Sequence, residues 1–159
     1  GTGVCFCPTT ERDLADGIGP ARALHDVGSP ISLGTDQHAI IDPFEEMRGL
    51  EMHERLESHE RGRFSPADLV LSASHNGYQA LGWQGGGHLA TGALADFITV
   101  RLDSVQTAGC DPAQVMYAAC AVDVQHVVVG GEQIVTDGRH RMGDVASVLA
   151  ASIAAVRSA

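Results

Sequence analysis

The chain has 159 residues, ten of them basic and twenty acidic, so its formal charge is −10 and its isoelectric point lies near 5.0. That balance argues against nucleic acid and against anionic membranes as partners, since both select clustered positive charge. With 44% apolar residues and a mean hydropathy of +0.02, the composition is that of a globular chain and excludes a disordered tail.

In chain order, Val4 to Cys7 is an apolar run ended by Pro8 and reads as a buried strand. The chain does not begin with Met, and Gly1-Thr2-Gly3 runs straight into this strand; a natural domain seldom starts in mid-strand, so the start is read as a cut. Pro8 to Gly19 lacks apolar periodicity and reads as a polar loop. Pro20 opens a helix through Val27, stopped by Gly28, and Pro30 to Leu33 is a second buried strand leading into Gly34-Thr35-Asp36. Asp42-Pro43-Phe44-Glu45 has the grammar of a capping box and starts a helix. Phe44, Met47 and Leu50 carry its apolar face, while Glu46, Glu57 and Glu60 are assigned to a solvated one. Ser65-Pro66-Ala67-Asp68 starts another helix to about Ser74; Asn76-Gly77 should break it before a last turn to Leu81.

The character then changes. Gly85-Gly86-Gly87 is a joint, and no Lys-Ser/Thr follows it as a phosphate loop requires. Ala95 to Leu102 alternates as a strand, and Asp111 to Ala121 has the makings of a short helix. Val124 to Val129 and Gln133 to Thr136 flank Gly130-Gly131, a hairpin signal. Asp144 begins an amphipathic helix with Val145, Val148, Leu149, Ile153 and Val156 on one face. Strand–helix alternation in the first third implies a parallel sheet, but two such units cannot close a barrel. The chain therefore reads as α/β: strand–helix units, then a small antiparallel sheet and a C-terminal helix, together the C-terminal part of something larger. The boundaries fall at 1–84, 85–143 and 144–159.

Two strand ends carry the candidate chemistry. Asp36 follows the second strand, at the C-terminal end where barrel enzymes place their active sites, and a carboxylate there suits a metal ion or a proton transfer. Thr9, Thr10 and Glu11 follow the first strand and can line a polar pocket; His38, two residues after Asp36, joins them as a candidate substrate contact. The other histidines show neither H-x-H nor H-E-x-x-H spacing, and Cys5, Cys7, Cys110 and Cys120 match no zinc motif and read as free thiols.

Three passages together resemble the C-terminal half of the amidohydrolase superfamily, in its deaminase branch. Ala73-Ser74-His75-Asn76-Gly77-Tyr78-Gln79-Ala80-Leu81-Gly82 is similar to the family's A-T-x-N-G-A-x-A-L-G helix, Gly87 to Val100 to its G-S-L-x-x-G-x-x-A-D-L-V-V strand, and Val124 to Gly138 to its closing hairpin. Within the branch, Cys7-Pro8-Thr9-Thr10-Glu11 through Asp16-Gly17, with Gly34-Thr35-Asp36-Gln37-His38, resembles formimidoylglutamate deiminases; Asp13 stands where Asn is expected, Gln37 where Ser is, and His88 replaces a common Ser.

The resemblance implies an α/β fold, the C-terminal fragment of a (β/α)8 metal-dependent hydrolase barrel followed by strands of a small composite β-sandwich and a C-terminal helix, in a zinc enzyme of histidine degradation that hydrolyses N-formimidoyl-L-glutamate to N-formyl-L-glutamate and ammonia. Asp36 would bind the zinc and shuttle a proton from the attacking water to the leaving ammonia. The remaining zinc ligands would lie upstream, so this chain alone would be inactive and would need the upstream half of the same enzyme. A small-molecule substrate, a homodimer and a cytoplasmic location are further implications. The alternatives are another aminohydrolase of the superfamily, acting on guanine, an adenosine derivative or a triazine, or a non-catalytic fragment.

Overall fold

The computed structural model describes residues 2–158; Gly1, at the start of the mid-strand opening, lies outside them. Its first layer is a parallel pair, β1 (Val4–Phe6) and β2 (Ile31–Leu33), in register Val4↔Ile31 and Phe6↔Leu33. Two helices connect them, α1 (Pro8–Leu14) and α2 (Ala21–Asp26). Three more follow: α3 (Pro43–Ser58), α4 (Pro66–Ser72) and α5 (His75–Ala80). A four-stranded antiparallel sheet comes next, β3 (Phe97–Val100), β4 (Val124–Val129), β5 (Glu132–Thr136) and β6 (Arg139–His140) in sequential order, with the short helix α6 (Val115–Ala118) between β3 and β4. Helix α7 (Val145–Arg157) ends the chain.

Local chemistry explains most of these boundaries. Asp42 caps α3 by accepting from the Phe44 and Glu45 amides, with Pro43 at the first helical position. The expected box does not close, because the Glu45 carboxylate binds Arg12 and Arg48 instead. Ser65 and Asp68 do form a reciprocal box at α4. Gly130 and Gly131, at φ 56° and 82°, occupy the two left-handed positions that a tight hairpin between β4 and β5 demands.

Three expectations are corrected. The segment after β1 is helical, not a loop: Glu11 accepts from the Cys7 amide and Glu46 of α3 accepts from the Thr9 amide, so tertiary partners satisfy the donors at the start of α1. Asn76-Gly77 does not break the chain, since both lie inside α5; the Asn76 amide donates to the Ile31 carbonyl and so does not compete for its own backbone. Glu46 is not on a solvated face. It is buried, as are Glu51, His53 and Glu54 on the same helix.

The core consists of Phe6, Ala21, Ile31, Phe44, Met47, Leu50, Phe64 and Leu69, joined by Met116 and Ala119 from the segment between β3 and β4. Arg48 donates to the Met116 and Ala119 carbonyls and Asp42 accepts from the Ala121 amide, tying that segment to α3. Helix α1 packs so closely on α3 that a Cβ at Gly49 would meet Pro8 Cβ at 2.7 Å. Helix α7 forms as expected, capped by Asp144, with Val148, Leu149, Ile153 and Val156 exposed. No helix among the described residues is long and apolar enough to cross a membrane.

The acidic side of α3 acts as a set of clamps. Glu51, 0% exposed, accepts from the amides of Gly62, Arg63 and Phe64 and from Arg55, while Glu54 accepts from the Arg22 amide at the start of α2. Removing such an acceptor strands buried donors. Glu51→Ala in the complete protein is therefore expected to cost about 3 kcal/mol, against within about 0.5 kcal/mol for Glu57→Ala at an exposed position of the same helix. Chemical denaturation of both variants checks this, and equal midpoints would contradict the clamp.

Candidate active site

Because β1 and β2 are parallel, the segments that follow them leave the sheet on the same side, which puts the start of α1 beside the turn after β2. The Gly34 amide donates to the Phe6 carbonyl at 3.0 Å, extending the pairing to the last residue before that turn. The turn is closed by the His38 amide donating to the Thr35 carbonyl, also at 3.0 Å. Asp36 sits inside it at φ 45° and His38 at φ 59°, left-handed conformations that Asp and His tolerate better than bulkier residues. Asp36, Gln37 and His38 are all exposed.

Helix α1 braces this turn twice. Thr10 Oγ1 donates to the Thr35 carbonyl at 2.8 Å, and Gln37 Nε2 donates to Asp13 Oδ2 at 2.5 Å. The second contact joins two of the positions at which the sequence departs from the deiminase pattern. An Asp on α1 has there an amide donor to pair with, so the two departures form one interaction.

The expected pocket residues separate into two groups. Thr9 and Thr10, 3% and 2% exposed, direct their hydroxyls into the protein: Thr9 Oγ1 donates to Glu46 and Thr10 to Thr35. Burial raises the Glu46 carboxyl above its ordinary range, and the Thr9 hydroxyl and amide pull it back only in part. Glu11 instead keeps about a fifth of its side chain exposed. One of its oxygens accepts from the Cys7 amide at 2.8 Å, and the other lies 4.0 Å from His53 Nδ1. Burial first, and then the Arg12 cation, hold His53 below its usual pKa of 6.5, against the opposing pull of Glu11. At neutral pH the imidazole is uncharged.

Cys7 stands at the N-cap of α1, where its amide donates to Glu11. Its thiol is pushed up to about 11, by burial first, then by Cys5, then by the negative fields of Asp36 and Glu11. Cys7 thus remains a neutral thiol. His38 enters this geometry through its backbone amide.

Sequence reasoning missed Glu46, His53 and Glu54. Their signal was present: positions 46, 50, 53 and 54 recur at helical spacing around Leu50, which places the polar groups on the buried stripe. As for a metal, the described residues contain no group of three or more His, Cys, Asp or Glu able to hold an ion. Asp36 has the chemistry of an oxygen donor to a metal ion: it is exposed on the turn that follows a parallel strand, and no described side chain donates to its carboxylate.

The amidohydrolase family pattern matches residues 1–134. A 5-methylthioadenosine/S-adenosylhomocysteine deaminase of Natronomonas pharaonis is 35% identical over 153 residues, covering 93% of this chain and 35% of that relative. A formimidoylglutamate deiminase of Pseudomonas aeruginosa is 33% identical over 146 residues, covering 85% and 32%. Among solved structures, an adenosine deaminase from Xanthomonas campestris with bound zinc superposes with a TM-score of 0.88 at 24% identity, over 99% of this chain and 38% of that one. The α/β fold is that of the C-terminal part of an amidohydrolase barrel, and the chain spans about a third of the length of the curated relatives it matches.

The depressed pKa of His53 has a signed consequence. Its unfolded value is near 6.5 and its folded value lower, so its contribution is fully present above pH 6.5 and is lost as the pH falls through the folded value, where the buried ring must charge. Denaturation midpoints of the complete protein at pH 7.5 and 5.5 are expected to fall less between the two conditions in His53→Gln than in the wild type. An equal fall in both would remove His53 as a source of acid sensitivity.

Proposed function

Because the chain belongs to the amidohydrolase family, we propose that it is the C-terminal part of a zinc-dependent deiminase that hydrolyses N-formimidoyl-L-glutamate to N-formyl-L-glutamate and ammonia. The observation that carries this reading is that the turn bearing Asp36 and the helix start bearing Glu11 follow two paired parallel strands and are joined by the Thr10 hydroxyl on the Thr35 carbonyl. Zinc, when bound with further ligands from upstream in the protein, supplies the Lewis acidity that makes water nucleophilic near neutral pH. Asp36 would be this chain's ligand to it.

The residues of the chain divide the remaining work. The carboxylate of Asp36 takes a proton from the attacking water and delivers it to the departing nitrogen, so that the amidine C–N bond breaks with release of ammonia and a formyl amide remains. Glu11 holds the substrate. A formimidoyl group is an amidine and is cationic near neutral pH, and a carboxylate facing it makes a charge-assisted hydrogen bond. Glu11 suits that role in two ways. It keeps an oxygen beyond the one bound to the Cys7 amide, and its neighbour His53 is uncharged. His38 is the further substrate contact on the turn, and Thr9 and Thr10 form the wall behind these groups. A homodimer in the cytoplasm completes the proposal.

The rival within the family is an adenosine-type deaminase, favoured by the relative at 35% identity. A neutral purine, however, offers Glu11 no cation to bind.

In the complete zinc-loaded protein, Glu11→Gln is expected to lower kcat/KM for formimidoylglutamate about tenfold or more, about 1.4 kcal/mol of transition-state binding. Glutamine still accepts from the Cys7 amide, so the fold persists. Asp36→Asn is expected to abolish turnover with the circular dichroism unchanged. Ammonia release reads both, and wild-type turnover in the Asp36 variant would sink the assignment.

A further inference from the structure

The Thr35 carbonyl accepts two hydrogen bonds, from the His38 amide within the turn and from the Thr10 hydroxyl on α1. The first exists in any such turn. The second does not follow from turn geometry; it fixes the peptide that precedes Asp36 to a helix on the other strand. Asp36 occupies a left-handed backbone conformation, and a non-glycine residue keeps one only when its surroundings over-determine it. The surroundings here are three bonds: Gly34 to Phe6 at the entrance, Thr10 to Thr35 at the flank, and the exposed Asp13–Gln37 contact at the tip. Of the two that come from side chains, only the Thr10 bond is shielded from water, since Thr10 is buried whereas the Asp13–Gln37 pair is exposed. A hydroxyl buried in this way has no surface left for a substrate.

We propose that Thr10 is a positioning residue for Asp36: its hydroxyl, through the Thr35 carbonyl, holds the turn that carries Asp36 in its left-handed conformation. Thr9 has no such role, because its hydroxyl is engaged by Glu46 at the far side of α1. The inference rests on the reading of Asp36 as the proton-transferring zinc ligand.

The test uses the complete protein with Thr10→Val, which keeps the shape and removes the donor, and Thr10→Ser, which restores it. The readouts are kcat and KM for formimidoylglutamate and the rate at which bound zinc is lost to a chelator. Thr10→Val is expected to lower kcat about tenfold or more, to leave KM within about threefold and to release zinc faster, while Thr10→Ser stays within about threefold of the wild type in all three. A raised KM at constant kcat would mean that Thr10 touches substrate and would overturn the proposal. So would a Val variant equal to the wild type in kcat and in zinc release. If the wild type turns over no formimidoylglutamate, the deiminase reading fails and the zinc-release comparison alone decides the role of Thr10. If the Val variant does not fold, Thr10→Ala against Thr10→Ser makes the same comparison.

Discussion

Helix α3 holds this part of the molecule together by burying carboxylates that accept backbone N–H groups from its neighbours. Glu46 takes the start of α1, Glu54 the start of α2, and Glu51 the three consecutive amides that lead to Phe64. Each of those amides would otherwise be an unmatched donor at a helix start or in a buried loop, and an unmatched buried donor costs more than the net value of an ordinary hydrogen bond. Glu51, which takes four donors, and Glu46, which takes the amide and the hydroxyl of Thr9, tolerate burial because donors converge on them. The arrangement works in both directions, and it leaves α3 as the common reference for α1 and α2.

The candidate site inherits its geometry from that arrangement. Because Glu46 sets where α1 starts, it also sets where Thr10 and Glu11 sit relative to the end of β2. Thr10 then meets the Thr35 carbonyl, and Glu11 turns back to the Cys7 amide with an oxygen still accessible. The acid proposed to do the chemistry, Asp36, is exposed on a short turn, and Thr10, proposed to hold that turn, is buried. Stability and function therefore lie on different residues within a few positions of each other.

Much of this was legible in the amino-acid sequence wherever the signal is local. Pro30 to Leu33 followed by Gly34-Thr35-Asp36, the Asp42-Pro43 and Ser65-Pro66 helix starts, and Gly130-Gly131 each carry their own backbone chemistry, and each appears in the structure as a strand end, a cap or a turn. What was not legible depends on partners far along the chain. Helix α1 has Cys7 at its N-cap with no side-chain cap and Ala15 in a left-handed C-terminal position, so Pro8 and Glu11 in its first turn are its local signals; its tertiary partner, Glu46, is 37 residues away from Thr9. The same distance hid the inward aim of the threonine hydroxyls. The buried acids of α3 look like a solvated face until each is matched with the loop it holds.

On the proposed reading, Glu11 and Asp36 together serve a cationic amidine. The most direct test is ammonia release by the complete, zinc-loaded protein given formimidoylglutamate, 5′-methylthioadenosine and guanine side by side. Turnover of formimidoylglutamate alone is the predicted result. Turnover of methylthioadenosine or guanine, or of none of the three, would contradict it, and Glu11 would then stand as the N-terminal clamp of α1 and nothing more.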